Sequence, residues 1–265
     1  LVGATASGKS SLALELVRRD PSWEIVTVDS MQVYRGMDIG TAKPTAAEQA
    51  EAPHHLLDVL DPWEEASVAW FQREAQAEIS RIETRGRRAL LVGGTALWVQ
   101  AVVDDLQIPG RYPDIRMELD DEPDTEALHV RLAGLDAVAA SRMEPTNRRR
   151  VVRALEVTLG SGRPFSSFGP GLEAHPPSAF RLVGVQRDPA DLAALIERRY
   201  TDQLERGFLG EVRRLHDHPR GLSRTATQAL GYKELISHLN GEVGLDDALV
   251  LANNRTRQFA RRQRA

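Results

Sequence analysis

Apolar positions follow two rhythms that alternate along the chain. Short runs rich in apolar and β-branched residues at Leu1-Val2, Glu24–Asp29, Ala89–Gly93 and Phe180–Gln186 read as buried strands. Between them, Ser10 to about Arg19 carries the packed helical stretch Ser11–Val17. From Ala66 to Arg85 the apolar positions Val68, Phe71, Ala75, Ile79 and Ile82 recur at helical spacing, and the run stops at Gly86. Strands separated by helices predict an α/β fold with a parallel sheet, whose ligands bind beyond the carboxyl ends of its strands. Three loops, Gly3–Ser10, Asp29–Arg35 and Gly93–Thr95, follow such ends and are expected to converge on one crevice.

The alternation lapses between Asp104 and Pro177. Prolines at 109 and 113, the acidic Asp120-Asp121-Glu122, helical pieces at Ala127–Leu132 and Arg148–Leu159, and a Gly/Pro/Ser-rich tract from Gly160 to Pro177 fill it without a strand signal. This predicts a helical insertion over 104–177 in a core domain of 1–103 and 178–265. The last stretch is helical: Ala190–Arg206, Gly210–His216, Ala226–Leu239 and Asp246–Arg264.

The octet Gly3-Ala4-Thr5-Ala6-Ser7-Gly8-Lys9-Ser10 carries the chemistry. Its glycines let consecutive N–H groups curl around an anion. Lys9 brings charge to the terminal phosphates, Ser10 places a hydroxyl for Mg²⁺, and the following helix adds its positive dipole end. The spacing alone is that of a nucleoside triphosphate site. Asp29, at the next strand end, has three readings: metal holding, general base, or loop bonding together with Ser30. The Gly93-Gly94-Thr95 turn offers close backbone approach and one hydroxyl.

Composition narrows the setting. The chain has 265 residues, 42% hydrophobic and 27% charged, which suits an ordinary globular protein. It lacks an apolar run of transmembrane length and a basic-then-apolar leader, and it begins on a strand and ends in a helix, so both ends read as trimmed. Absence of cysteine excludes disulfides, thiolate-held zinc and a thiol nucleophile, and fits a cytoplasmic protein. The net charge of −4 argues against a uniformly basic coat. Arginine nevertheless clusters at Arg148-Arg149-Arg150 with Arg153, and from Arg255 to Arg264, either as phosphate contacts or as solvated helix faces. Adjacent His54-His55 reads as packing or hydrogen bonding rather than metal ligation.

The octet, the run Val28 to Pro44, His54-His55-Leu56-Leu57-Asp58-Val59-Leu60-Asp61-Pro62, Gly93-Gly94-Thr95, Arg153-Ala154-Leu155-Glu156-Val157 and Leu230-Gly231-Tyr232-Lys233-Glu234 occur in order. Together they resemble the tRNA dimethylallyltransferase family across essentially the whole chain. The resemblance implies a P-loop NTPase-like parallel sheet flanked by helices, with an α-helical insertion domain that contacts the tRNA anticodon stem-loop. It implies transfer of a dimethylallyl group from dimethylallyl diphosphate, with Mg²⁺, to N6 of the adenine on the 3′ side of the anticodon, in tRNAs reading codons that begin with U. The partner is then tRNA, no membrane is involved, and the chain acts as a monomer.

By the same resemblance Asp29 is the base and Thr5 lies beside the reacting groups. Gly3 through Ser10 and Arg116 bind diphosphate, and Ser10 also holds the metal. Asp29, Ser30, Met31, Gln32, Thr95, Arg116, Arg149, Arg150, Arg153, Gln228, Gly231, Tyr232 and Lys233 meet the tRNA. Some positions depart from the family pattern. Ser10 stands for the usual threonine and keeps the hydroxyl. Trp98 keeps an aromatic ring where tyrosine is common, and Ala96 replaces a glycine or methionine. Met117–Thr125 is short for the family's insertion, and the family's chain continues past Ala265. Three other readings stay open: a small-molecule or nucleotide kinase, a prenyltransferase acting on free adenine nucleotide, and a non-catalytic nucleic-acid-binding module.

Overall fold

The computed structural model describes residues 1–169 and 174–264, so part of the Gly160–Pro177 tract lies outside the described residues, as does Ala265. The chain runs β1 (Val2–Gly3), α1 (Lys9–Arg19), β2 (Trp23–Val28), α2 (Ala46–Glu51), β3 (His54–His55), α3 (Val68–Thr84), β4 (Arg88–Gly93) and α4 (Ala96–Val103). Then come α5 (Pro113–Asp120), α6 (Thr125–Leu135), α7 (Ala137–Ser141), α8 (Arg148–Ser161), β5 (Gly184–Val185), α9 (Pro189–Glu205), α10 (Phe208–His216), α11 (Tyr232–Leu239) and α12 (Leu245–Arg262).

The five strands form one parallel sheet in the order β3-β2-β4-β1-β5, the α/β sheet flanked by helices that alternation implied. Its register positions the site. Val28 of β2 pairs with Gly93 of β4, and Gly93 pairs with Val2 of β1. The three strands therefore end level, and the loops that leave them start side by side. Glycine at 93 permits this, because a Cβ there would stand 2.0 Å from the Val28 carbonyl oxygen. The strand expected over Phe180–Gln186 contracts to Gly184–Val185. It is an edge strand bonded only to β1, and Leu182 and Val183 before it are more than half exposed.

Two compact units divide the chain, residues Leu1–Val102 with Phe180–Ala265, and Val103–Ala179. In the first, Phe71 of α3 stacks on Trp98 of α4 at 4.1 Å, and Phe208 meets Tyr232 edge-on at 5.0 Å. In the second, Leu119, Leu128, Leu132, Val151 and Leu155 close a separate core among α5, α6 and α8. Helix α4 escaped the periodicity reading because Leu97 to Val103 is apolar almost all round. The helix expected over Ala226–Leu239 breaks into a 3₁₀ turn, Ala226–Gln228, and α11. Gly231 between them has φ 85°, and a Cβ there would crowd Phe208 at 2.9 Å. Among the described residues no helix is long and apolar enough to cross a membrane.

Candidate functional site

The octet forms a strand-to-helix loop. Gly8, with φ 95°, turns the chain into α1, and Gly3 passes so close to β5 that a Cβ would lie 2.5 Å from the Val185 carbonyl. Lys9 folds back over the loop, Nζ donating to the Ala4 carbonyl at 2.7 Å. Burial lowers the Lys9 pKa to about 8, with Asp29 acting to raise it and Arg199 to lower it further. The Ser7 hydroxyl is buried without a hydrogen-bond partner. Ser10 sits exposed on the first turn of α1.

Asp29 leaves β2 directly into the second loop. Its Oδ1 accepts from the backbone N–H of Met31 at 2.9 Å and of Gln32 at 3.3 Å. Loop bonding thus takes up Oδ1 and not Oδ2. Ser30 N–H donates to the Thr95 hydroxyl at 3.3 Å, joining the second loop to the third. Gln32 donates through Nε2 to the carbonyls of Thr41 and Ala42 at 3.1 and 3.2 Å. The second and third strand-end loops therefore meet.

Sequence reasoning missed the groups that arrive from α9, α12 and the segment just before α9. Arg199 of α9 donates from Nη1 to the Thr5 hydroxyl at 3.0 Å and from Nη2 to the Gly40 carbonyl at 3.1 Å. Burial lowers its pKa below the ordinary arginine value, and Tyr200, Asp29 and Tyr232 act against that. Arg187 Nε donates to the Ser7 carbonyl at 2.9 Å. Gln263, capping α12, accepts the Thr5 N–H at 2.8 Å and donates to the Gly94 carbonyl at 2.6 Å. A signal existed: Arg199 continues the buried stripe Leu192, Ile196, Tyr200, Gln203, and Gln263 continues Ala252, Thr256, Ala260. A polar side chain on an apolar stripe needs a partner, and here the partners are the loops.

The rest of the second loop is locked from beneath. Lys43, its side chain 3% exposed, donates to the Tyr34 carbonyl at 2.7 Å and to Asp38 and Asp58 at 2.6 and 2.5 Å. The buried Glu211 carboxylate takes the N–H groups of Asp38, Ile39 and Gly40 at 3.0, 2.8 and 3.1 Å, and the Tyr232 hydroxyl at 2.5 Å. Gly40 is required, since a Cβ would stand 2.2 Å from Phe208 and 2.4 Å from Tyr232.

The residues expected to meet RNA separate into two groups. Tyr232 has no exposed surface and Gly231 donates its buried N–H to Glu234 at 3.0 Å, so the Tyr232 side chain is a core element rather than a surface contact. Lys233 and Gln228 beside them are exposed, with Gln228 accepting from Arg255 at its carbonyl at 3.1 Å. In the second unit Arg153 is committed to Glu156 and the Pro109 carbonyl, both at 2.8 Å, and Arg116 pairs with Asp120 at 2.8 Å along α5. Arg149 and Arg150 stand exposed on α8 without an ion pair among the described residues. Of the C-terminal arginines, Arg255 pairs with Glu234 and Arg257 with Glu197, whereas Arg261, Arg262 and Arg264 face solvent.

His55 lies between Glu24 at 2.7 Å and Glu78 at 3.3 Å, and His54 bonds the Ala52 carbonyl at 2.7 Å, the hydrogen-bonding role expected of the pair. Among the described residues no three His, Cys, Asp or Glu side chains gather as a metal site. The Ser10 hydroxyl, exposed on the first turn of α1, suits a hard cation that takes most of its ligands from phosphate and water.

Comparison with known proteins agrees with this geometry. The family model described as IPP transferase matches residues 32–265, and one described as isopentenyl transferase matches residues 1–58. A tRNA dimethylallyltransferase of Nocardioides sp. is 46% identical over 99% of this chain and 85% of its own. One from Bifidobacterium longum is 43% identical over 99% and 81%. The full-length tRNA isopentenylpyrophosphate transferase of Bacillus halodurans superposes with a TM-score of 0.70 at 38% identity, covering 99% of this chain and 83% of that one. A eukaryotic dimethylallyltransferase acting on tRNA gives 0.84 at 27% identity, covering 99% and 67%. A level-ended parallel sheet with a phosphate loop, an adjacent carboxylate and matches over nearly the whole length lead to one conclusion: the chain belongs to the tRNA dimethylallyltransferase family, a family of prenyltransferases.

Proposed function

We propose that this chain transfers a dimethylallyl group from dimethylallyl diphosphate to N6 of the adenosine 3′-adjacent to the anticodon, in tRNAs reading codons that begin with U. The observation that carries this reading is Asp29. One carboxylate oxygen is spent on the Met31 and Gln32 amides, the other is left over, and its charge acts on both Lys9 and Arg199. A kinase using the same loop leaves the run from Asp29 to Pro44 without a role, and the chain shows no lid-arginine pattern.

In the reaction, the bond between C1 of the allyl group and the diphosphate oxygen breaks, a bond from C1 to N6 forms, and the N6 proton passes to Asp29. The adenine amine is a weak nucleophile, so its alignment against C1 matters as much as its deprotonation. Negative charge grows on the leaving diphosphate. The loop N–H groups, Lys9 and the Ser7 hydroxyl receive it, while Arg199 holds Thr5 in place. The Ser10 hydroxyl would hold Mg²⁺, which would supply further charge neutralisation for the leaving diphosphate.

The adenine leaves its stack to reach Asp29, at a cost of a few kcal/mol, which a single-stranded anticodon loop makes affordable. Asp29 through Gln32 and Thr95 surround it. Arg149 and Arg150, Arg116 with its remaining N–H groups, Gln228 and Lys233 contact RNA, with Arg153 and Gly231-Tyr232 shaping the segments that carry them. We further propose that the chain works in the cytoplasm as a monomer.

Incubating the protein and Mg²⁺ with labelled dimethylallyl diphosphate and either tRNA or AMP tests the reading. Label in tRNA supports it. Label in AMP alone moves the acceptor to free nucleotide, and label in neither overturns prenyl transfer.

A further inference from the structure

Gln263 uses both ends of its amide to bond two loops that lie far from it along the chain. Its Oε1 accepts the Thr5 N–H at 2.8 Å and its Nε2 donates to the Gly94 carbonyl at 2.6 Å. Gly94 admits this approach, because a Cβ there would stand 2.6 Å from that nitrogen and 2.8 Å from the Gly3 carbonyl. The two bonded groups belong to different loops. Thr5 lies in the octet and has its hydroxyl held by Arg199, while Gly94 precedes Thr95, whose hydroxyl takes the Ser30 N–H beside Asp29.

One primary amide thus ties the octet to the turn that borders the base-receiving loop. The geometry points to Gln263 as a positioning residue that sets the spacing between the leaving diphosphate and the incoming adenine; this rests on the reaction proposed above. It touches neither substrate and acts through Thr5 and Gly94. The chemistry asks for a donor and an acceptor on one short planar group. Methionine of similar length has neither, and glutamate lacks the donor that Gly94 needs.

A role in stability alone is the competing explanation, and the structure separates the two. Helix α12 is fastened independently by buried Ala248, Ala252, Thr256 and Ala260, by the Thr256–Tyr200 hydroxyl pair at 2.8 Å, and by the Arg255–Glu234 ion pair at 2.8 Å. Loss of the Gln263 amide therefore leaves the helix in place and frees the two loops to move relative to one another.

The test uses Gln263→Met and Gln263→Glu, assayed with dimethylallyl diphosphate and tRNA alongside wild type, with thermal melting of each protein. Misaligned but still bound substrates predict a kcat lower by about tenfold or more in both variants. KM for tRNA should change by less than about threefold, and melting should stay within about 4 °C of wild type. A wild-type kcat in both variants, or an activity loss that tracks a lowered melting temperature, overturns the role of Gln263. Failure of the wild-type protein itself to prenylate tRNA overturns the reaction and this role with it.

Discussion

Arg199 donates a hydrogen bond to the Thr5 hydroxyl at 3.0 Å, so the C-terminal helices hold the phosphate loop from outside the sheet. The other guanidinium nitrogen takes the Gly40 carbonyl at 3.1 Å, and Gly40 is itself bonded to Glu211. The octet and the loop that follows Asp29 therefore share one cation. Arg199→Ala should lower kcat/KM for dimethylallyl diphosphate about a hundredfold, as expected when a charged bond of about 3 kcal/mol is lost. Lysine, with one compact ammonium, cannot reproduce the fork and should recover only part of this. Steady-state kinetics at saturating tRNA measure both.

The depressed Lys9 fixes a pH dependence. Burial brings its pKa to about 8, and an anionic ligand binds its charged form. Corrected for the ligand's own protonation, diphosphate affinity should be flat below that value and fall as pH rises through it. Lys9→Ala should remove the inflection. Calorimetric titration with inorganic diphosphate from pH 6 to about 9.5 reads this directly; an ordinary lysine would postpone the fall to above about 10.

Glu211 is a stability prediction. Glu211→Ala leaves three backbone N–H groups and the Tyr232 hydroxyl without their acceptor in a site 3% exposed. Unsatisfied buried donors of this kind should cost about 3 kcal/mol or more. Denaturant unfolding should show a lowered midpoint, and activity should fall because Gly40 and the Arg199 contact move together.

Arg149 and Arg150 present free guanidinium groups on α8. If both neutralise phosphates, the double alanine variant should flatten the slope of log affinity for tRNA against log salt by about 2. KM for dimethylallyl diphosphate should stay unchanged. A filter-binding series across salt concentrations checks it.

The octet, strands β2 and β4 and helix α3 were legible because each is dictated by local pattern: glycine spacing, a β-branched run, a 3.6-residue stripe. What was not legible depends on partners far along the chain. Arg199 and Gln263 sit in helices whose stripes are otherwise ordinary, and their meaning appears only when α9 and α12 meet the octet. Tyr232 is the opposite case. Its segment carries an exposed Lys233, while the tyrosine turns inward to Glu211, a partner that no local spacing announces.

The central claim is that the oxygen of Asp29 not held by its own loop takes the adenine proton. Asp29→Asn tests it cleanly, because the asparagine carbonyl can still accept from Met31 and Gln32 N–H while basicity is lost. Single-turnover transfer of dimethylallyl to bound tRNA should slow by about a hundredfold to ten-thousandfold with tRNA and diphosphate affinities within about threefold of wild type. Transfer at the wild-type rate by that variant would contradict the account.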